Sequence, residues 1–383
     1  MDKILKGEIP TLPWVGGIEF LTGRRPFLPY FLIYTNNFIS SDFFIIHLFK
    51  NLLFGSIIFF VIKNFFKKYN NFFLIISLIL IFYIPYNSFI NLGTEKEEGW
   101  LNYFIIILFF ILIGKNKYKS IYLSIVLSMI FLLKGSMFFL TFFIPILFIF
   151  FEKNDKFKFL PLITIIIVNI SWGLSTYSKS GIFAFGPTGS PMNASNLYMI
   201  SNNNFSKTYP NIGPDIYVCK VGEIIREKNI KNEKELMEQL IPLSMNYIKE
   251  NPAQYSIGVL KKIYLLMFRP FKDGKIPKNF NICKNIKDLN IKQPNEIRFS
   301  NVINKTLFNI SLIILFYSLF FKKEKNKINF KIDIYYLAIL ILYLAPYMVA
   351  FLYDRHSTSM YIISQLYLFL FYINNKKKLL DSV

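Results

Sequence analysis

Short lysine clusters alternate with apolar runs along this chain, and that alternation limits its possible folds more than any other feature. The clusters are Lys63/Lys67/Lys68, Lys115/Lys117/Lys119, Lys153/Lys156/Lys158, Lys322/Lys323/Lys325/Lys327 and Lys376/Lys377/Lys378. When they are assigned to the cytoplasm by the positive-inside rule, one topology satisfies all five. The opposite face then receives residues 1–42, the acidic turn Glu95–Glu98, the turn at Lys134, the loop 177–305 and the turn Asp354-Arg355-His356. The polar residues suited to chemistry gather on that outer face.

A chain of 383 residues that is 54% hydrophobic and carries 44 Phe has more apolar surface than a soluble fold can hide. The expectation is an all-α polytopic membrane protein with about nine transmembrane helices and a large, mostly helical extracytoplasmic loop. The net charge of +21 does not point to nucleic acid, because the charges alternate with spans and form no continuous stripe. It fits cytoplasmic anchors and a basic outer loop, both drawn to lipid headgroups or a lipid phosphate. The bias toward Lys, Asn, Ile and Phe resembles coding from an AT-rich bacterial genome, which implies the inner membrane. Cys219 and Cys283 both fall in the outer loop. A disulfide is open to them if that side is oxidising, and two free thiols is the alternative.

The expected crossings are about 43–62, 72–90, 99–114, 119–133, 136–151, 158–176, 306–321, 332–352 and 357–373. Residues 119–151 could read as one long helix, but Lys134-Gly135-Ser136 interrupts it, and the flanking clusters both require the cytoplasm, so a hairpin fits better. Residues 1–42 form part of a first outer loop, with an interfacial helix over 27–39. Residues 43–176 carry transmembrane helices, 177–305 form an outer loop domain, and 306–383 return to the membrane. Within the loop, 215–248 read as charged helices. Residues 251–268 read as an amphipathic helix lying on the membrane surface, with Pro252 in its first turn and Lys261 and Lys262 at headgroup level. The N-terminus shows no signal peptide, yet this topology places it outside, so an upstream crossing is expected to be missing.

Several residues suit chemistry. Glu95, Glu97 and Glu98 precede a crossing and suit a general base, a metal site or a solvated turn. Lys134, a charge between two very apolar helices, must reach water, a counter-ion or a phosphate. Arg24 and Arg25 place two guanidiniums at headgroup level, a geometry for phosphate contact or for lipid anchoring. Arg355, beside Asp354 and His356, breaks the charge pattern of its short outer turn, which points to a specific role or to an ion pair. His47 and Lys50 lie near the outer half of the first crossing and read first as structural. No Walker loop, zincin, hydrolase elbow or dinucleotide fingerprint occurs.

Six stretches carry a family pattern. Gly23-Arg24-Arg25-Pro26-Phe27-Leu28-Pro29-Tyr30 resembles an "RPPLYP" segment, and Lys50-Asn51 follows where an Arg-x-x-Asn is usual. Glu98-Gly99-Trp100-Leu101 is similar to "SE-x-L", and Leu132-Leu133-Lys134-Gly135 to "LTRP" with Lys for Arg. Asn196-Leu197-Tyr198 with Asn202-Asn203 looks like "NLYxGNNP". Asn246-Tyr247-Ile248-Lys249-Glu250-Asn251-Pro252 to Lys262, then Arg269-Pro270, is similar to an "I-x-x-NP…K…P" helix, and Asp354-Arg355-His356 stands where "E-x-RY" does. In this order the chain resembles the bacterial membrane glycosyltransferases of the GT-C fold, related to protein mannosyltransferases and lipid A aminoarabinose transferases.

The resemblance implies transfer of a sugar from a polyprenyl-phosphate donor to an extracytoplasmic acceptor (protein, lipid or glycan), with inversion. It implies an acidic base in the first outer loop, within an Asp-Glu-x-x-Tyr motif. The chain begins Met1-Asp2-Lys3-Ile4-Leu5-Lys6-Gly7-Glu8-Ile9-Pro10, which looks like the tail of that loop, so the first helix and the motif are expected to be absent. Glu8 and Glu19 remain as first-loop carboxylates. The expected roles are Glu8 and Glu98 as catalytic carboxylates, with Glu98 supporting the acceptor or a divalent cation. Lys134, Arg355, Arg24, Arg25, His356 and Lys50 would bind substrate. Two other readings stay open: a transporter or lipid flippase, and an O-antigen polymerase-like enzyme.

Overall fold

The computed structural model describes residues 12–13, 19–20, 43–65, 97–114, 117–184, 196–197, 215–268, 295–321, 327–349 and 358–381. These residues are helical apart from turns and one small antiparallel pair, β1 (Leu12–Pro13) with β2 (Glu19–Phe20), in which Leu12 faces Phe20 and Pro13 faces Glu19. The expected crossing at 72–90 and the interfacial helix at 27–39 lie outside the described residues, as do the side chains of both cysteines and His47.

Eleven α-helices are described. In order they are α1 (Phe43–Phe65), α2 (Glu97–Ile113), α3 (Lys119–Leu133), α4 (Phe138–Phe151), α5 (Leu160–Ser180), α6 (Asp215–Glu227), α7 (Glu233–Glu250), α8 (Pro252–Phe268), α9 (Asn295–Phe320), α10 (Lys327–Val349) and α11 (Thr358–Asp381). Three stretches are long and apolar enough to cross a membrane: Leu160–Ser180, Val302–Phe320 and Phe330–Val349. Shorter apolar helices run over Leu48–Phe59, Lys119–Leu133, Gly135–Phe151 and Thr358–Tyr372.

Helix α2 lies inside the bundle. It is apolar on all sides and is buried from Glu98 to Leu112 at nearly every residue, as such a helix must be. It packs against α1, α3, α10 and α11, and Trp100, Leu101, Leu108 and Phe109 are sealed at its centre. The outer faces of the bundle carry large exposed apolar side chains, including Leu52, Ile125, Phe150, Ile167, Leu174, Ile313 and Phe316. A surface of this kind suits hydrocarbon better than water.

The hairpin expected over 119–151 is present. Lys134 adopts an extended conformation (φ −147°, ψ 110°), its N–H closing the last turn of α3 on the Ile130 carbonyl. A 3-10 turn over Gly135–Met137 then starts α4. Between α5 and α9, Asn232 caps α7 by accepting from the Glu235 N–H at 2.9 Å. The Glu235 carboxylate accepts in return from the Lys231 N–H and the Asn232 amide, a reciprocal capping arrangement.

Two helix boundaries and the place of one side chain stand out against expectation. Helix α9 begins at Asn295, inside the segment assigned to the outer loop, because Asn295–Ile303 continues a helical register without a breaker. Helix α11 runs through Lys376–Lys378 to Asp381, since lysine is a good helix former. Helix α8 matches its predicted bounds, but Lys262 is buried rather than at a surface. The reason is that α8 packs on α9 and α10, with the Tyr255 hydroxyl donating to the Val349 carbonyl and the Asn309 amide to the Met267 carbonyl.

The end of α5 is pinned by a close approach. Gly181 ends the helix at φ +68°. The chain then folds back so that the Ala184 N–H donates to the Thr176 hydroxyl and the Phe183 ring covers Gly173, where a Cβ would lie 2.6 Å from the ring. Gly173→Val should displace Phe183 and cost about 1–3 kcal/mol. Thermal unfolding in detergent checks this, and an unchanged midpoint would contradict it.

Candidate functional site

Helix direction sorts the buried charges into two groups. Glu97 and Glu98 stand in the first turn of α2, Lys134 follows the end of α3, and Tyr347 lies near the end of α10. All four therefore gather at one end of the bundle. Lys119 begins α3, Glu152 follows α4 and Lys331 stands near the start of α10, so these gather at the other.

At the first end the Lys134 Nζ donates to the Glu98 Oε1 at 2.5 Å and lies 3.8 Å from the Glu97 Oε2. Glu98 and Lys134 are buried, their side chains 6% and 11% exposed, whereas Glu97 is 30% exposed. The ammonium also sits over the Tyr347 ring, 5.6 Å from its centre. Charges this far from water need a partner, and here each is the other's. The carboxylates also face the positive end of the α2 dipole. Burial pushes the Lys134 ammonium down, but Glu98 and then Glu97 outweigh it and hold its pKa above the ordinary lysine value of 10.5. A raised folded-state value means that this stabilisation is complete below pH 10.5 and is lost only as pH rises through the raised value.

Around this pair lie further polar groups. The Lys50 Nζ, at 1% exposure, sits 5.4 Å from the centre of the Trp100 ring, two residues along α2 from Glu98. Beside it the Tyr103 hydroxyl donates to the Asn51 side chain at 2.7 Å. The Ser359 hydroxyl, in the first turn of α11, donates to the Asn102 side-chain Oδ1 at 2.6 Å. Tyr343 is buried one turn before Tyr347 and within electrostatic reach of Lys134.

The structure thus brings together Glu98 and Lys134, which the sequence proposes as an active carboxylate and a phosphate ligand, and Lys50 lies on the helix packed beside them. Glu8, Arg24, Arg25, Asp354, Arg355 and His356 lie outside the described residues. Tyr343 and Tyr347 went unnoticed in the sequence. Their signal is a pair of tyrosines one turn apart near the C-terminal end of the apolar helix α10. For a divalent cation the fit is poor: no group of three His, Cys, Asp or Glu is placed to hold a metal among the described residues, and the Glu98 carboxylate already faces an ammonium.

The opposite end holds a second buried cluster. The Lys119 Nζ donates to the Leu112 carbonyl at 2.7 Å and to the Glu152 Oε1 at 2.6 Å, and Lys331 donates to the same carboxylate oxygen. Burial pushes Glu152 up, and hydrogen bonds from Lys119 and Lys331 more than reverse it, leaving its pKa below the ordinary 4.5. This support is present above pH 4.5 and fades as pH falls through the depressed value. Deeper in the bundle, Asp333 accepts from the Ser318 and Tyr367 hydroxyls at 2.5 and 2.7 Å. Tyr367 stacks on Tyr336, with ring centres 4.1 Å apart, and the Tyr336 hydroxyl joins Ser311 and Ser364.

No protein family, curated protein or solved structure matches this chain.

Removing one partner of the Glu98–Lys134 pair strands a buried charge. Lys134→Met alone should therefore cost about 3–5 kcal/mol, and the double variant E98Q/K134M should recover most of that loss. Thermal unfolding of the single and double variants checks this, and additive losses would contradict it.

Proposed function

We propose that this chain is a membrane glycosyltransferase that moves a sugar from a polyprenyl-phosphate-linked donor to an extracytoplasmic protein, lipid or glycan. It would span a bacterial inner membrane about nine times, with its site at the outer face. The observation that carries this reading is the buried Glu98–Lys134 pair. It lies at the end of the bundle from which the 177–305 segment leaves, and it falls on two stretches that resemble motifs of the GT-C transferases.

In this mechanism Lys134 changes partners. A donor phosphate arriving at the site competes with Glu98 for the ammonium. The acceptor hydroxyl or amine attacks the anomeric carbon, the bond from that carbon to the phosphate oxygen breaks, and polyprenyl phosphate leaves. Negative charge grows on the phosphate as it departs, and Lys134 stabilises it there, which favours the transition state over the ground state. Lys50, Arg24, Arg25, Arg355 and His356 add donors to the same phosphate or to the sugar. The acceptor proton goes to a carboxylate. Glu8 is the first-loop candidate for that step, and Glu98, freed from Lys134, orients the acceptor. Glu97, 3.8 Å from the ammonium, keeps Lys134 at the site while the pair is open.

The transporter alternative needs a polar route through the helices. Among the described residues, the hollow beside Ile339 and Leu340 of α10 is lined mostly by apolar side chains, Ile105, Met360 and Ile363, with Tyr343 and Ser359 beside them, which gives the transporter reading little support.

The test is transfer of radiolabelled sugar from undecaprenyl-phosphate donors to membrane-extract acceptors in detergent. Glu98→Gln and Lys134→Ala should each lower turnover at least about tenfold. Wild-type rates in both variants would overturn these roles.

A further inference from the structure

We infer that the edge formed by Lys117–Tyr118 and the turn 152–159 is a docking site for anionic phospholipid headgroups, in the leaflet that meets this end of the bundle. The inference is independent of the transferase reading. It starts from how the two acids of this edge are used. Glu152 turns inward to Lys119 and Lys331. Asp155 also turns inward, accepting from the Ser120 hydroxyl at 2.6 Å and from the Phe157 N–H at 2.8 Å. Both carboxylates are thus occupied within the fold.

The lysines of the same edge point the other way. Lys117, Lys153 and Lys156 are exposed and Lys158 is half-buried. None of the four forms an ion pair with a described residue. Among the described residues their charge is unmet, and it suits an anionic partner.

The aromatic residues identify that partner as lipid. Tyr118, Phe157 and Phe159 are 51%, 63% and 53% exposed, and they alternate with the lysines along the same turns. Lys117 and Lys158 lie against the Tyr118 and Phe159 rings at 5.6 and 5.4 Å. An exposed phenylalanine beside a lysine is poorly placed in water. It is well placed at the boundary between acyl chains and headgroups, where the ring enters the apolar layer and the ammonium reaches a phosphate. The edge also caps helices whose outer faces are apolar, so it lies at the depth where headgroups begin. A soluble polyanion would offer the rings no apolar layer.

The experiment is native mass spectrometry of the full chain in detergent. Phosphatidylglycerol and phosphatidylcholine of identical acyl chains are supplied in equal amounts. Wild-type protein should retain phosphatidylglycerol at least about tenfold in preference, and K153Q/K156Q/K158Q should lose most of that preference. K153R/K156R/K158R should keep it, which separates lost charge from lost fold. Inorganic phosphate in excess should leave lipid retention unchanged. Equal retention of both lipids by wild type, an unaltered preference in the glutamine variant, or displacement by inorganic phosphate would each overturn the inference.

Discussion

An ammonium buried between two apolar helices must be neutralised, and one end of this bundle is arranged around that requirement. The chain leaves helical geometry at Lys134, and the first turn of α2 brings the Glu98 carboxylate to 2.5 Å from its Nζ. That contact ties the α3–α4 hairpin to the central helix. The same end of α10 contributes the Tyr347 ring, whose electron-rich face adds to the neutralisation. With the charge satisfied, α2 can be buried on almost every side, and α1, α3, α10 and α11 pack around it.

The opposite end solves a similar problem with the signs reversed. There one carboxylate, Glu152, holds two lysines from α3 and α10. The two ends differ in how their acids are placed. At the Glu98 end a second carboxylate, Glu97, stands close enough to take over the ammonium. At the Glu152 end both acids are tied inward, and the surrounding lysines face outward. The first arrangement suits an exchange of partners, and the second suits attraction of an anionic surface.

Much of this was legible in the sequence because it rests on local pattern. Lys134-Gly135-Ser136 marked the hairpin between two apolar runs, and α3 occupies its predicted bounds. Asn251-Pro252 marked the start of α8. Glu98 and Lys134 stood out singly as costly charges, but their pairing was not legible, because 36 residues separate them and only the antiparallel packing of α2 and α3 joins them. The burial of Lys262 is not legible for the same reason. Its helix is amphipathic, and sequence alone does not say that α9 and α10 cover the face that carries it. Asp333 and Tyr367 were passed over inside hydrophobic spans, since their partners lie on three different helices.

The link from structure to function is whether Lys134 can exchange Glu98 for a phosphate. The most direct measurement is equilibrium binding of undecaprenyl phosphate to the purified chain, compared across wild type, Glu98→Gln and Lys134→Met. Competition between carboxylate and phosphate predicts tighter binding in Glu98→Gln, where the rival charge is gone and the ammonium remains, and weaker binding in Lys134→Met. Equal affinity in all three proteins would contradict it and leave the pair a structural clasp.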